Sequence, residues 1–381
     1  MLRAGSPFNS LQLGEFMRLI VAGGGTGGHL FPGIAVASEL MQRVPDARVL
    51  FVGTSRLLDQ QALADRGFEL ATLSCGGIKG MSSLARFHSL LQLPGAVMVA
   101  RRILRGFRPD LVFSVGGYVT GPVVLAARLL GVPVCIHEQN SVPGMANRYA
   151  ARLADRVCIS LPCAPPLPVG KTVQTGNPVR QEILLAGRQE QQPKIRATLL
   201  VLGGSQGAHR VNMLMMEAME MLATARENLQ VIHQTGTDDQ EMVAQCYQRL
   251  GVQADVVAFV QNMAGVYAKA SLAVSRAGAT TLAELAVMGV PALLIPYPYA
   301  ADNHQATNAA YYAAGGGCLV LPESGLTGEI LARSISQHLQ NHEELHTMAA
   351  NMKAMAMSDA CERIVDECLA LVHRRGRLFS S

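Results

Sequence analysis

Three glycine clusters in this chain follow short apolar runs, and each could cradle a phosphate. The first, Gly23-Gly24-Gly25-Thr26-Gly27-Gly28-His29, comes after the run 19–22. The second, Gly116-Gly117-Tyr118-Val119-Thr120-Gly121-Pro122, comes after 111–115, and the third, Gly203-Gly204-Ser205-Gln206-Gly207, after 199–202. Glycine admits positive φ and close backbone approach, so N–H groups at the start of the next helix can surround an anion. A fourth segment, Ser275-Arg276-Ala277-Gly278-Ala279-Thr280-Thr281-Leu282-Ala283-Glu284, ends a strand near Ser275, turns at Gly278 and opens a helix. Its first-turn N–H groups and hydroxyls suit a diphosphate. Glu284 falls one turn on from Thr280 and Thr281, where a carboxylate could accept both hydroxyls of a ribose. The plainer alternative is a capping box that binds nothing.

Other nucleotide chemistries fit less well. Gly23, Gly25 and Gly28 match the dinucleotide fingerprint, but the tip of the next strand, Leu50-Phe51-Val52-Gly53-Thr54, lacks the acid that reads the ribose of NAD. None of the clusters ends in the Gly-Lys-Ser/Thr of a P-loop. No Asp-x-Asp sits at a strand end to hold a divalent ion, and Asp238-Asp239 reads as a helix start. Neither metal nor cofactor is expected.

The elements that must position these residues alternate. Runs at 19–22, 49–52, 111–115, 134–137 and 157–160 predict strands of one parallel sheet. Runs at 199–202, 229–233, 256–260, 272–275 and 292–295 predict a second. Between the sets, residues 161–179 are rich in proline (Pro162, Pro165, Pro166, Pro168, Pro178) and read as an interdomain connection. The fold class is therefore α/β, two Rossmann-like doubly wound domains with their ligands beyond the strands' carboxyl ends. The expected division is residues 1–178 and 179–357, with a helix over about 358–373 packing back on the first domain. Two domains also suit 381 residues.

Composition narrows the class. Hydrophobic residues make up 49%, too many for a disordered chain. The uncharged stretch 285–301 carries Gly289 and three prolines and is too short to span a bilayer. Eight cysteines without a C-x-x-C pair suggest reduced, buried thiols. A net charge of +4 is too small to argue for nucleic acid. Residues 1–16 lack a signal-type apolar core, and Met17 is an alternative start.

In order and spacing, the motifs resemble those of the MurG family of UDP-N-acetylglucosamine transferases over nearly the whole chain after Met17. They are Gly24-Gly25-Thr26-Gly27-Gly28-His29; Gly116-Gly117-Tyr118 with Gly121-Pro122; His137-Glu138-Gln139-Asn140 through Pro143-Gly144 to Asn147-Arg148; Gly176-Asn177-Pro178-Val179-Arg180; the Gly203 cluster; the 275–284 segment; and Asp302-Asn303-His304-Gln305 with Asn308-Ala309. The resemblance implies a GT-B fold whose domains face a cleft. It implies inverting transfer of GlcNAc from UDP-GlcNAc to the C4 hydroxyl of the muramoyl sugar of undecaprenyl-diphospho-MurNAc-pentapeptide. By the same resemblance Ser205 contacts phosphate, Val260 packs beside uracil, and Ala279, Thr280, Thr281, Leu282 and Ala283 line the nucleotide. Glu284 takes the ribose, Gln305 holds GlcNAc, and Arg180 supplies positive charge. Thr26, Gly27, Gly28 and Asn140 close over the sugar and phosphate from the first domain. The segment Tyr297-Pro298-Tyr299-Ala300-Ala301 departs from the family's pattern.

An inverting transfer needs a base for the acceptor hydroxyl. His29 and Glu138, each just past a strand end, are the candidates, and His29 is favoured. His29 could instead cap its loop, and Glu138 could orient His29 or Asn140. Between Leu70 and Pro109 there is no acid, while Lys79, Arg86, Arg101, Arg102, Arg105 and Arg108 interleave with Ile78, Met81, Leu84 and Phe87. That pattern suits contact with an anionic membrane surface. Family resemblance places such contact on the cytoplasmic face of the bacterial inner membrane.

Overall fold

The computed structural model describes residues 17–24, 27–73, 83–189, 196–204, 206–222 and 229–379. The first half runs β1 (Arg18–Ala22), α1 (Gly27–Arg43), β2 (Arg48–Gly53), α2 (Leu57–Ala64), β3 (Glu69–Thr72), α3 (Ser83–Phe107), β4 (Leu111–Ser114), α4 (Thr120–Leu129), β5 (Val134–Glu138), α5 (Met145–Leu153), β6 (Arg156–Ile159), β7 (Thr172–Gln174) and α6 (Gln181–Arg188). The second runs β8 (Ala197–Leu202), α7 (His209–Met221), β9 (Leu229–Gln234), α8 (Gln240–Arg249), β10 (Gln253–Val257), α9 (Met263–Lys269), β11 (Leu272–Ser275), α10 (Ala279–Met288), β12 (Ala292–Leu294), α11 (His304–Ala314), β13 (Cys318–Val320), α12 (Gly328–Gln340), α13 (His342–Ala354) and α14 (Ala360–Phe379).

Each half forms one parallel sheet, in the orders β3-β2-β1-β4-β5-β6-β7 and β10-β9-β8-β11-β12-β13. Central strands are buried on both faces, which is why they read as unbroken apolar runs rather than alternating ones. Along β1, Ile20 and Ala22 join a core with Val112 and Ile136, while Leu19 and Val21 face the opposite core with Leu111 and Phe113. Strand order reverses between β1 and β4, and again between β8 and β11. Such switch points open a crevice at the strands' carboxyl ends. The glycine turns after β1, β4 and β8, and the Gly278 turn after β11, all stand there.

Several expectations change. β3, β7 and β13 were not predicted, because each is an edge strand of only three or four residues; β3 and β7 mix polar residues with apolar ones, and the apolar run of β13 is short. β7 lies inside the proline-rich stretch read as a connection, pairing Val157 with Thr172, so the chain is still completing the first sheet there. β10 starts at Gln253, three residues before the predicted run.

The C-terminal helix α14 returns to the first sheet, with Ile364, Val365 and Cys368 buried in the core beside α1 and β4. Burying an aliphatic side chain of this size contributes about 1.5–3 kcal/mol. Arg43 pairs with Asp366 at 2.6 Å and Arg156 with Glu367 at 2.7 Å along the same seam. The last core element of the first sheet is therefore supplied from beyond the second.

Candidate functional site

The first wall of the cleft is made by the turns after β1 and β4 and by the start of α1. Gly24 takes φ +138°, and Gly116 and Gly117 take +102° and +89°, conformations that side chains disfavour. Space demands glycine as well. A Cβ on Gly116 would stand 3.1 Å from His29 Nε2, and one on Gly117 would stand 3.1 Å from the Gly24 carbonyl. His29 thus lies against both turns. Burial lowers its pKa to about 4, aided by His304 and opposed by Asp59, so the imidazole is neutral at physiological pH. Gly27 is buried and Gly28 exposed at the start of α1. Thr26 lies outside the described residues.

Glu138 ends β5 buried. Oε1 accepts from the Asn140 N–H at 2.9 Å and Asn140 Nδ2 at 3.2 Å, and Oε2 accepts from the Gly144 N–H at 3.0 Å and Asn147 Nδ2 at 2.9 Å. Burial raises its pKa, and those donors oppose the rise. A carboxylate engaged by four donors is organising a loop. Of the roles open for Glu138, orienting Asn140 is the one this geometry serves. Asn147 and His29 both pack on Gly116: a Cβ there would lie 3.4 Å from Asn147 Nδ2 and 3.1 Å from His29 Nε2.

The second wall is the N-terminus of α10. Gly278 caps it without a side-chain bond, and the N–H groups of Ala279, Thr280 and Thr281 fall in the first turn, where no intrahelical acceptor exists. With the helix dipole they form a positive end at the second switch point. Glu284 does not close a capping box. Its Oε1 accepts from Arg180 Nη2 at 2.9 Å and Nε at 3.2 Å, and its Oε2 accepts from the Tyr267 hydroxyl at 2.9 Å. Burial pushes the Glu284 carboxyl up, opposed by Arg180 and Tyr267. Arg180 also lies over the Phe31 ring, 4.9 Å from its centroid, so it joins α1 of the first half to α10 of the second.

The remaining predicted residues take varied places. The Val260 N–H donates to Gln234 Oε1 at 3.1 Å, while Gln234 Nε2 donates to the Gly204 carbonyl at 2.7 Å. Gln305 Oε1 accepts from the N–H groups of Ala277 at 3.2 Å and Tyr297 at 2.9 Å. Thr280 Oγ1 accepts from Asn177 Nδ2 at 3.3 Å. Ala279 and Ala283 line a small interdomain cavity with Gln139, Asn177 and Tyr312. Leu282 has its side chain fully buried in a core of the second half, and its N–H donates to the Gly278 carbonyl. Ser205, Ile78, Lys79 and Met81 lie outside the described residues. Leu84 and Phe87 fall in α3, but their side chains are not described.

The two walls are clasped. Asn308, fully buried on α11, accepts from the Ser141 N–H at 2.9 Å and Ser141 Oγ at 3.0 Å, and donates to Asn140 Oδ1 at 3.0 Å. Ser141 Oγ also meets Thr307 Oγ1 at 2.7 Å. Reading the sequence assigned no role to Ser141, Asn147, Gln234, Tyr267 or Asn308. Asn147 and Asn308 stand inside recognised motifs. The others carry no local signal, since their partners are distant in the chain. Among the described residues no group of three or more His, Cys, Asp or Glu could hold a metal ion.

Comparison with known proteins agrees with this architecture. Residues 19–159 match the glycosyltransferase family 28 N-terminal domain and 198–364 its C-terminal domain. A UDP-N-acetylglucosamine–N-acetylmuramyl-(pentapeptide) pyrophosphoryl-undecaprenol N-acetylglucosamine transferase of Desulfotalea psychrophila is 47% identical, covering 94% of this chain and 97% of that protein. The protein so named in Geotalea daltonii is also 47% identical, over 92% of this chain and 97% of its own length. The crystal structure of Acinetobacter baumannii MurG superimposes with a TM-score of 0.74 at 30% identity, covering 93% of this chain and 99% of that one. A UDP-GlcNAc 2-epimerase from Neisseria meningitidis, 16% identical with a TM-score of 0.65 over 93% of this chain and all of its own, shares the fold. Two switch-point crevices face each other across a cleft, in a chain nearly half identical to these transferases over almost all of its length: it belongs to glycosyltransferase family 28 and, within it, to the MurG family.

Proposed function

We propose that this protein transfers GlcNAc from UDP-GlcNAc to the C4 hydroxyl of MurNAc-(pentapeptide)-diphospho-undecaprenol, with inversion at the sugar's anomeric carbon. The observation that carries this is that His29 stands at one switch point and the α10 N-terminus at the other, in two halves joined by Asn308 with Ser141 and Asn140 and by Arg180 with Glu284 and Phe31. His304, on the donor side, contributes to the depressed pKa of His29. In the reaction, His29 takes the proton of the acceptor hydroxyl as its oxygen attacks the anomeric carbon. The bond from that carbon to the β-phosphate oxygen breaks, and UDP departs. Charge developing on UDP falls to the N–H groups of Ala279, Thr280 and Thr281, to Ser205 and to Arg180. Glu284 takes the ribose diol, a role that requires Arg180 or Tyr267 to yield one of its present bonds. Val260 packs beside the uracil and Gln305 holds GlcNAc. Thr26, Gly27, Gly28 and Asn140 close from the other side.

The same reading divides the chain into an acceptor unit, 1–178 with α14 packed on it, and a donor unit, 179–357. The acceptor unit would lie on an anionic membrane at the cytoplasmic face. Among the described residues no helix is long and apolar enough to cross a membrane. The neighbouring helices α3, α4 and α5 expose Met98, Leu129 and Tyr149 together with Arg102 and Arg105. Apolar groups among cations are what a headgroup layer would accept.

The test is incubation with radiolabelled UDP-GlcNAc and a short-chain lipid I analogue. Label should pass to the lipid with release of UDP. Epimerised UDP-sugar, or no label on the lipid, would overturn the reading.

A further inference from the structure

A buried carboxylate beneath the first glycine turn has no part in the chemistry above. Asp59 sits in the first turn of α2, only 1% exposed, and accepts a hydrogen bond from Thr54 Oγ1 at 2.7 Å. Above it lies Gly24. A Cβ there would stand 2.7 Å from Asp59 Oδ2, so the carboxylate presses directly against the backbone of the turn. The stack continues upward: the Gly24 carbonyl abuts Gly117, and Gly117 abuts His29 Nδ1, with 3.1 Å and 3.9 Å from a Cβ on Gly117 to the two atoms. Asp59, Gly24, Gly117 and His29 therefore form one packed column, drawn from α2, the β1 turn, the β4 turn and α1.

Packing alone does not call for a carboxylate. A buried charge is costly unless its field or its hydrogen bonds are used. Two groups act electrostatically on His29: His304, from α11, disfavours the imidazolium, and Asp59 favours it. A base that gains a proton in the transition state is improved by a fixed negative charge nearby, because that charge stabilises the cation being formed.

We infer that Asp59 is a positioning residue for the transfer, holding the Gly24 turn against His29 and setting a fixed negative charge beneath the imidazole that takes up the proton. The inference rests on the reading of His29 as base. It assigns to α2, outside the motifs that carry the family resemblance, a share in the reaction.

Asp59→Asn keeps the shape and an acceptor for Thr54 while removing the charge. Its kcat should fall about tenfold, and KM for UDP-GlcNAc, whose binding groups lie mainly on the other half, should stay within about twofold. The acid limb of the kcat/KM profile should move to lower pH, since the imidazole loses the group that raises its pKa. Asp59→Glu, which restores the charge, should recover part of the rate. In a His29→Ala background, adding Asp59→Asn should change the rate by less than about twofold, because the residue through which it acts is already gone. Full additivity in the double variant, or an unshifted pH profile in Asp59→Asn, would overturn the inference while leaving His29 as base. Near-normal turnover of His29→Ala itself would overturn the base reading instead. If Asp59→Asn does not fold, titration of His29 by histidine NMR in Asp59→Ser and Asp59→Glu decides. Asp59→Ser removes the charge and Asp59→Glu keeps it, so the His29 pKa should fall in the first and stay near its wild-type value in the second. The same His29 pKa in both variants would refute the electrostatic role.

Discussion

Replacing Asn308 by Ala should disconnect the two walls of the cleft while leaving each wall intact. The carboxamide makes three hydrogen bonds to the loop after β5, two from Ser141 and one to Asn140, and one to the Ala277 carbonyl at 3.4 Å within its own half. At about 0.5–1.5 kcal/mol net for each buried bond, the three crossing bonds favour the clasped arrangement by about 2–4 kcal/mol. Each 1.4 kcal/mol is a factor of about ten, so the balance between clasped and open forms shifts about thirtyfold or more. Transfer needs groups from both halves at once, and kcat/KM for the lipid acceptor should fall by about two orders of magnitude. UDP binding, assigned in the proposed function to the second half, should weaken less than about threefold by titration calorimetry. Thr307 still reaches Ser141, so adding Thr307→Val should deepen the loss. A turnover within about threefold of wild type would refute the argument. A loss of UDP affinity as large as the loss of rate would do so too, since it would place the role of Asn308 within the donor site.

Other consequences are open to measurement. His233, buried between Tyr247 and Asn212, has its pKa lowered to about 3 by burial, while the unfolded chain takes up that proton near 6.5. Its contribution is thus complete above pH 6.5 and is lost as pH falls toward 3, about 2 kcal/mol going between pH 7 and pH 5. The gap in urea midpoint between wild type and His233→Gln should narrow over that interval; a constant gap would show the imidazole is not held neutral. Ile364→Ala, in the core of the first sheet though near the end of the chain, should cost about 2–5 kcal/mol, read from chemical denaturation. A loss under about 1 kcal/mol would mean that α14 is not part of that core. Flotation with anionic vesicles should be abolished by Met81→Glu combined with Leu84→Glu, and unchanged flotation would remove the proposed membrane contact from that segment.

The glycine turns, the central strands and the helix start before Glu284 were legible in the sequence because their signals are local. An apolar run followed by glycine and a helix start needs no distant partner to be recognised. The strands at the sheet edges were not legible, since β3, β7 and β13 are too short and too exposed to differ from loop. Glu138 was visible as a carboxylate past a strand end. That both its oxygens would accept from Asn140, Gly144 and Asn147 became visible only in the folded chain. Arg180 and Glu284 stand 104 residues apart and Ser141 and Asn308 167, and no periodicity along the chain announces such pairs. Sequence by itself thus determined where the tight glycine turns stand, because a turn's backbone freedom lies in consecutive residues. Tertiary structure alone decided which side chains face one another across the cleft, because hydrogen bonds and charge act through space and the distances that set them exist only in the folded chain.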